Sequence, residues 1–305
     1  MSYPTFESAN ETVDRFLTIL SASGVDLRAS SETEALAMTD VLNMWRRPDS
    51  RPADARSVVS QAMGFVDLAG KVAAVENHVD FPQLLSHLKM LAGTTVVQNA
   101  PSVVTDGDAN KVIELYIAAL AMTAGSNISL DDPNHSKGDN PDVMLDFRGK
   151  RWALALKTLH SRKPQTLFDN IKKASDQIEA SAADHGLVVL NVKNELDYGA
   201  LWPSASSSQP EEMVKAELHH QICAIAHQLD VFEPEEWRDI LGPARKAVPP
   251  VLFFGQAVSS AIPAEGRQPY FMSLKCMMTY LTPSPDTTGG LRLANHLNDA
   301  AQRFT

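Results

Sequence analysis

Cysteine is almost missing from this chain. Cys223 and Cys276 are the only two among 305 residues, and they form no CxxC pattern. That argues against a zinc site built on cysteine and predicts two buried free thiols rather than a disulfide. Long apolar runs are also missing. None approaches the ~20 residues that a membrane span needs, so no membrane association is expected. The opening residues Met1-Ser2-Tyr3-Pro4-Thr5-Phe6-Glu7 offer neither a basic leader nor an apolar stretch. No secretory signal is expected, and a soluble, cytoplasmic protein is the default. There is no glycine-rich phosphate loop of the P-loop or dinucleotide type, which leaves NTP hydrolysis and hydride transfer without support. A Gly-x-Ser-x-Gly elbow is absent too, and no internal repeat is visible. Positive charge is scarce overall: 27 Lys and Arg against 37 Asp and Glu give a net charge of −10. That opposes non-specific binding to nucleic acid, whose affinity comes largely from neutralised phosphates.

The chain does have an ordinary globular composition, 44% hydrophobic and 21% charged, and a length that suits one or two domains. It also has one local exception to its acidity. Between Arg148 and Lys173 stand Arg148, Lys150, Arg151, Lys157, Arg162, Lys163, Lys172 and Lys173, against the single acid Asp169. A local basic stripe can dominate a site on an acidic protein, although most charge runs are solvated faces.

Hydrophobic periodicity divides the chain. Residues 1–95 read as an α-helical N-terminal lobe. The stripe Val13, Phe16, Leu17, Leu20 predicts one helix, Ala35 to Met44 another, Asp54 to Ala74 a third, and Phe81 to Gly93 a fourth. Breaks are expected at 21–33 and at 48–54. Residues 96–305 read as an α/β domain. Lys111 to Gly125 predicts a helix closing at a glycine, and Ile128 to Leu130 a short strand. Asp131 to Asn140 is a polar loop. Asp142 to Phe147 and Arg151 to Leu159 form a hairpin about Arg148-Gly149-Lys150. Leu167 to Ala182 predicts an amphipathic helix. Leu187 to Val192 is an apolar strand suited to a buried parallel position. After the low-complexity stretch Ser204 to Gln209, a helix (211–229), two strands (251–254, 271–281) and a terminal helix (290–304) follow.

From residue 111 to 192 the order is therefore helix, strand, hairpin, helix, strand. Glu114 lies on the first helix, Asn140-Pro141-Asp142-Val143 opens the hairpin, Ala155-Leu156-Lys157 lies on its second strand, and Gln177 sits on the helix that follows. This segment resembles the core of the PD-(D/E)XK nuclease superfamily, over about 85 of the 305 residues. The resemblance implies a restriction-endonuclease-like mixed sheet flanked by helices. It further implies a metal-dependent nuclease acting on DNA, in restriction or anti-phage defence, with RNA left open. Asp142 and Glu114 would hold Mg²⁺ or Mn²⁺, and Lys157 would position water. Arg148, Lys150, Lys172, Lys173 and Gln177 would contact nucleic acid. The residue types suit the chemistry: carboxylates bind hard cations, and a cation or lysine offsets charge that develops on phosphate.

The sequence departs from the family two residues before the lysine, where Ala155 replaces the usual Glu or Asp. Glu114 is the first candidate to supply the missing carboxylate, with Asp146 and Glu179 after it. The alternative is a nuclease fold that has lost its chemistry and serves as a nucleic-acid- or protein-binding module. A third reading is an unrelated α/β interaction module. Blander roles are open for each site residue: Glu114 pairing with Lys111 on a helix surface, Asp142 capping the turn after Pro141. Lys157 is harder to dismiss, because an unpaired lysine is costly to bury in an apolar strand. His219-His220 cannot chelate as helical neighbours. His227 and the loop residue His135 are weak candidates, and Trp152 and Trp202 read as packing residues. Large assemblies offer an analogy for a protein partner on the N-terminal lobe. The oligomeric state is not legible.

Overall fold

The computed structural model describes residues 6–25, 56–93, 98–101, 108–133, 139–202, 210–261, 270–282 and 289–303. The helix expected at 35–44, the break at 48–54, His135 and the stretch 204–209 lie outside them. The chain is α/β: one six-stranded mixed sheet lies between two layers of helices. The strands are β1 (Ser126–Leu130), β2 (Val143–Phe147), β3 (Lys150–Thr158), β4 (His185–Asn191), β5 (Val251–Ala261) and β6 (Tyr270–Tyr280). They lie side by side in chain order. β1–β2, β2–β3 and β5–β6 are antiparallel, while β3–β4 and β4–β5 are parallel.

Alternation of side chains across the pleat builds two cores. Leu154 and Leu156 of β3, Val189 of β4 and Phe254 of β5 face one side. There they meet helices α1 (Phe6–Ala22), α2 (Arg56–Ala74), α3 (Leu85–Met90), α4 (Asp108–Ala124) and α8 (Gly290–Gln302). Ala153, Ala155, Val188 and Phe253 face the other side, against α5 (Pro164–Ala180), α6 (Glu211–Ala226) and α7 (Pro234–Leu241). The boundary expected at residue 95 separates helices that share this first core. Phe16, Phe65 and Leu88 lie in the same buried cluster as Tyr116 and Phe254. Asp67 on α2 binds Lys275 of β6 at 2.6 Å, Tyr116 of α4 at 2.9 Å and Gln256 of β5 at 3.2 Å.

The segment that positions the site has clear local causes. Arg148 and Gly149 take φ of 52° and 76°, the positive values a tight two-residue hairpin turn requires. That turn sets the register Val143↔Leu154 through Phe147↔Lys150. α5 begins at Pro164, whose fixed φ suits a first helical turn, and returns the chain to β4 parallel to β3. Parallel pairing needs such a crossover. Glycine stands at 186, the second residue of β4, because a Cβ there would lie 2.6 Å from Ile178 of α5 and 2.8 Å from the Ala153 carbonyl. No helix among the described residues is long and apolar enough to cross a membrane.

Candidate active site

At the end of β3 remote from the hairpin turn, Asp142, Lys157, Glu114 and Gln177 come together. Asp142, just ahead of β2, is 7% exposed. Its Oδ2 accepts the Leu156 amide at 2.6 Å, and its own amide donates to the Leu154 carbonyl at 3.1 Å. Burial pushes the Asp142 carboxyl up to about 7, and the charge of Glu114 adds to the shift. Lys157, the Leu156 amide and Lys111 pull the other way. A carboxylate that is buried near a second one is a poor anion without a compensating cation.

Lys157 leaves β3 on the α5 side. Its Nζ donates to Gln177 Oε1 at 2.5 Å, and Gln177 Nε2 donates to the Asn140 carbonyl at 3.0 Å. The helix after the hairpin is thereby tied both to the lysine and to the loop before Asp142. Burial lowers the Lys157 pKa, against the charges of Asp142 and Glu114, which raise it, while Lys111 and Lys173 add to the lowering.

Glu114 does pair with Lys111, at 2.8 Å and 3.0 Å, but not as a solvated residue, since it is 4% exposed. Its Oε2 also meets His87 Nε2 at 3.1 Å. His87 is a buried partner that sequence reasoning missed: Ser86-His87-Leu88 resembles any helical stretch, and only the packing of α3 on α4 brings the imidazole to Glu114.

The remaining candidates are distributed elsewhere. Lys173 stands one turn before Gln177 and acts on Lys157 through its charge, while Lys172 is exposed on the same helix. Arg148 and Lys150 are at the hairpin turn. Lys150 is seven residues before Lys157, roughly 23 Å along the strand, and its Nζ lies 2.8 Å from His185 Nε2. Neither substitute for the missing carboxylate is near. Asp146 pairs with Arg151 at 3.1 Å toward the turn, and Glu179, in the last turn of α5, accepts the Lys246 amide at 2.6 Å. On the face of β3 that carries Lys157, Ala153 and Ala155 are fully buried among α5 side chains. His227 binds Asp230 at 2.8 Å on the surface, and His219 lies 3.6 Å from Cys223. Trp152 is buried, and Trp202 stacks on Phe271 with centroids 5.9 Å apart. Both cysteines are free thiols, half-buried rather than fully buried.

The donor set fits a hard divalent cation that keeps most of its waters, bound through one or two carboxylates. Asp142 Oδ1 is not engaged by the Leu156 bond, and the raised Asp142 pKa favours the arrival of positive charge. Among the described residues no three of His, Cys, Asp and Glu converge as a ready-made metal cage. No family model, curated protein or solved structure matches this chain, so the reading of the site rests on its own geometry.

Proposed function

We propose that the chain is a nuclease-like protein of PD-(D/E)XK type, acting on DNA as a divalent-metal-dependent phosphodiesterase. One observation carries the reading: buried Asp142 and Glu114 and half-buried Lys157 meet on a helix–strand–hairpin–helix–strand frame, acting on one another through their charges. Bound Mg²⁺ or Mn²⁺ would supply Lewis-acid stabilisation of phosphate charge and a more acidic water. Asp142 would be its principal ligand and Glu114 the second. Lys157, held by Gln177, would orient water or offset charge on the phosphate, and its lowered pKa eases proton exchange. Lys173, exposed one turn from Gln177, is the basic residue best placed to meet a phosphate entering the site. Arg148 and Lys150, at the far end of the hairpin, would need a duplex lying along the sheet to contribute.

A second reading, a binding or assembly module without chemistry, is favoured by a specific observation. Both Glu114 oxygens are already engaged by Lys111 and His87, and Ala155 offers no replacement. Cleavage of plasmid and single-stranded DNA with Mg²⁺ or Mn²⁺ separates the two. On the nuclease reading the native chain cleaves and Asp142→Ala and Lys157→Ala do not. A folded native chain that leaves both substrates intact would sink that reading and leave the binding role.

A further inference from the structure

β6 is an edge strand: all eleven of its residues pair with β5, and no other strand lies beyond it among the described residues. Such an edge turns the N–H and C=O of every second residue outward; on β6 the Lys275 carbonyl already accepts Gln302 Nε2 at 3.0 Å. Beyond β6 is a cavity of ≈ 750 Å³ that wraps around this edge, with residues 271–279 as its floor. Lys215, Leu218 and His219 of α6 form one wall, and Asn298 and Gln302 of α8 the other. Much of the apolar lining is methionine, namely Met63, Met272, Met277 and Met278, a side chain that adapts to irregular partners.

The charge of the lining runs against that of the chain. Among the described residues no Asp or Glu lines the cavity, whereas Lys215, His219, Lys275 and Arg303 do, in a protein of net charge −10. Lys275 is held inside by Asp67. Lys215 and Arg303 stand at opposite walls with exposed side chains; Lys215 pairs with Glu211 one turn back on α6, a surface ion pair weak enough to exchange partners.

We propose that this groove docks an extended, acidic peptide segment of a partner protein, which joins the sheet as a seventh strand beside β6. Its backbone would pair with the outward groups of β6, displacing the Gln302 side chain from the Lys275 carbonyl; its apolar residues would enter the methionine floor, and its carboxylates would meet Arg303 and take the place of Glu211 on Lys215. A second copy of this chain suits the groove less well, because pairing β6 with its own image sets two cationic rims together on two acidic molecules. A nucleic-acid strand has no alternating N–H and C=O groups to match the edge. The proposal does not depend on the nuclease reading.

The test is selection of displayed random peptides of about ten residues, roughly one strand length, on the full chain. The expected winners alternate apolar residues with Asp or Glu. A labelled synthetic copy then binds, loses about tenfold in affinity to Lys215→Glu/Arg303→Glu, and slows amide deuterium exchange within 271–279. Circular dichroism establishes that the charge-reversed variant is folded. Selection of neutral or basic peptides, no enrichment at all, indifference to the charge reversal, or protection outside β6 would each overturn the proposal. Self-association that protects β6 would put a second copy in the groove instead, and displacement of the peptide by single-stranded DNA would put nucleic acid there.

Discussion

Asp142 brackets Ala155: its amide reaches the carbonyl of Leu154, and its Oδ2 takes the amide of Leu156 at 2.6 Å. The residue that departs from the nuclease pattern is thus clasped by the one that fits it best. Ala155 itself is fully buried under α5, and Lys157 follows it on the same face of β3. On the nuclease reading, the site lacks one carboxylate at one position.

Replacing Ala155 tests this directly. Ala155→Glu forces extra volume and a charge into a packed layer, and the metal-free variant should lose about 1–3 kcal/mol of stability. Mn²⁺ should return much of that loss and raise its melting temperature more than that of the native chain. Thermal denaturation with and without Mn²⁺, run beside plasmid cleavage, reads both effects. A variant that is destabilised yet indifferent to Mn²⁺ would mean that position 155 does not face a metal site.

The pH dependence follows from Asp142, whose carboxyl is raised to about 7, against ~3.9 in an unfolded chain. Between those values the folded chain holds a proton that the unfolded chain has released. The stability from that proton is fully present below ~pH 4 and is lost as the pH rises through about 7. Asp142→Asn keeps an acceptor for the Leu156 amide and removes the buried charge. It should flatten the profile and melt about 2–6 °C higher than the native protein above ~pH 7. Parallel melting curves for the two proteins across that range would contradict the assignment.

Lys157 and Gln177 separate packing from chemistry. Lys157→Met preserves an unbranched side chain and removes a partly buried charge, so stability should change by less than about 1.5 kcal/mol. Metal-dependent cleavage, on the nuclease reading, should fall by about 100-fold or more. Gln177→Leu leaves the lysine in place but frees its head, and a smaller loss is expected. Urea unfolding together with a cleavage assay measures both, and equal rates in all three proteins would remove Lys157 from the chemistry.

Asp67 and Lys275 form a buried pair at 2.6 Å, each 4% exposed at its side chain. Asp67→Ala strands the lysine charge and should cost about 3–5 kcal/mol, whereas Asp67→Leu/Lys275→Met should cost far less. A double-mutant cycle in urea reads the difference. Additive losses would mean that the two side chains do not depend on each other.

The elements were largely legible because periodicity and turn chemistry agreed. The helix expected from Lys111 to Gly125 is α4, and the hairpin about Arg148-Gly149-Lys150 has its turn at the expected residues. α7 escaped notice because it spans only Pro234–Leu241 and its capping box uses Glu233 with Glu236, where a Ser or Thr would have flagged a helix start. Asp142, Lys157, Glu114 and Gln177 were legible from an ordered pattern along the chain. His87 and the Asp67 network were not, since they join residues far apart in sequence. The basic run from 148 to 173 is one stripe when counted along the chain, whereas the strand β3 carries Lys150 and Lys157 to opposite ends of the sheet.

The six strands lie side by side in the order in which they are synthesised. Every residue of the candidate site, from His87 to Gln177, therefore leaves the ribosome before β5 exists. Until residues 251–261 arrive, the nascent sheet ends at β4, whose Leu187 to Leu190 are wholly apolar and whose unpaired backbone is a template for another strand. A translation pause between β4 and β5 is expected to lengthen the time for which that apolar edge stands exposed.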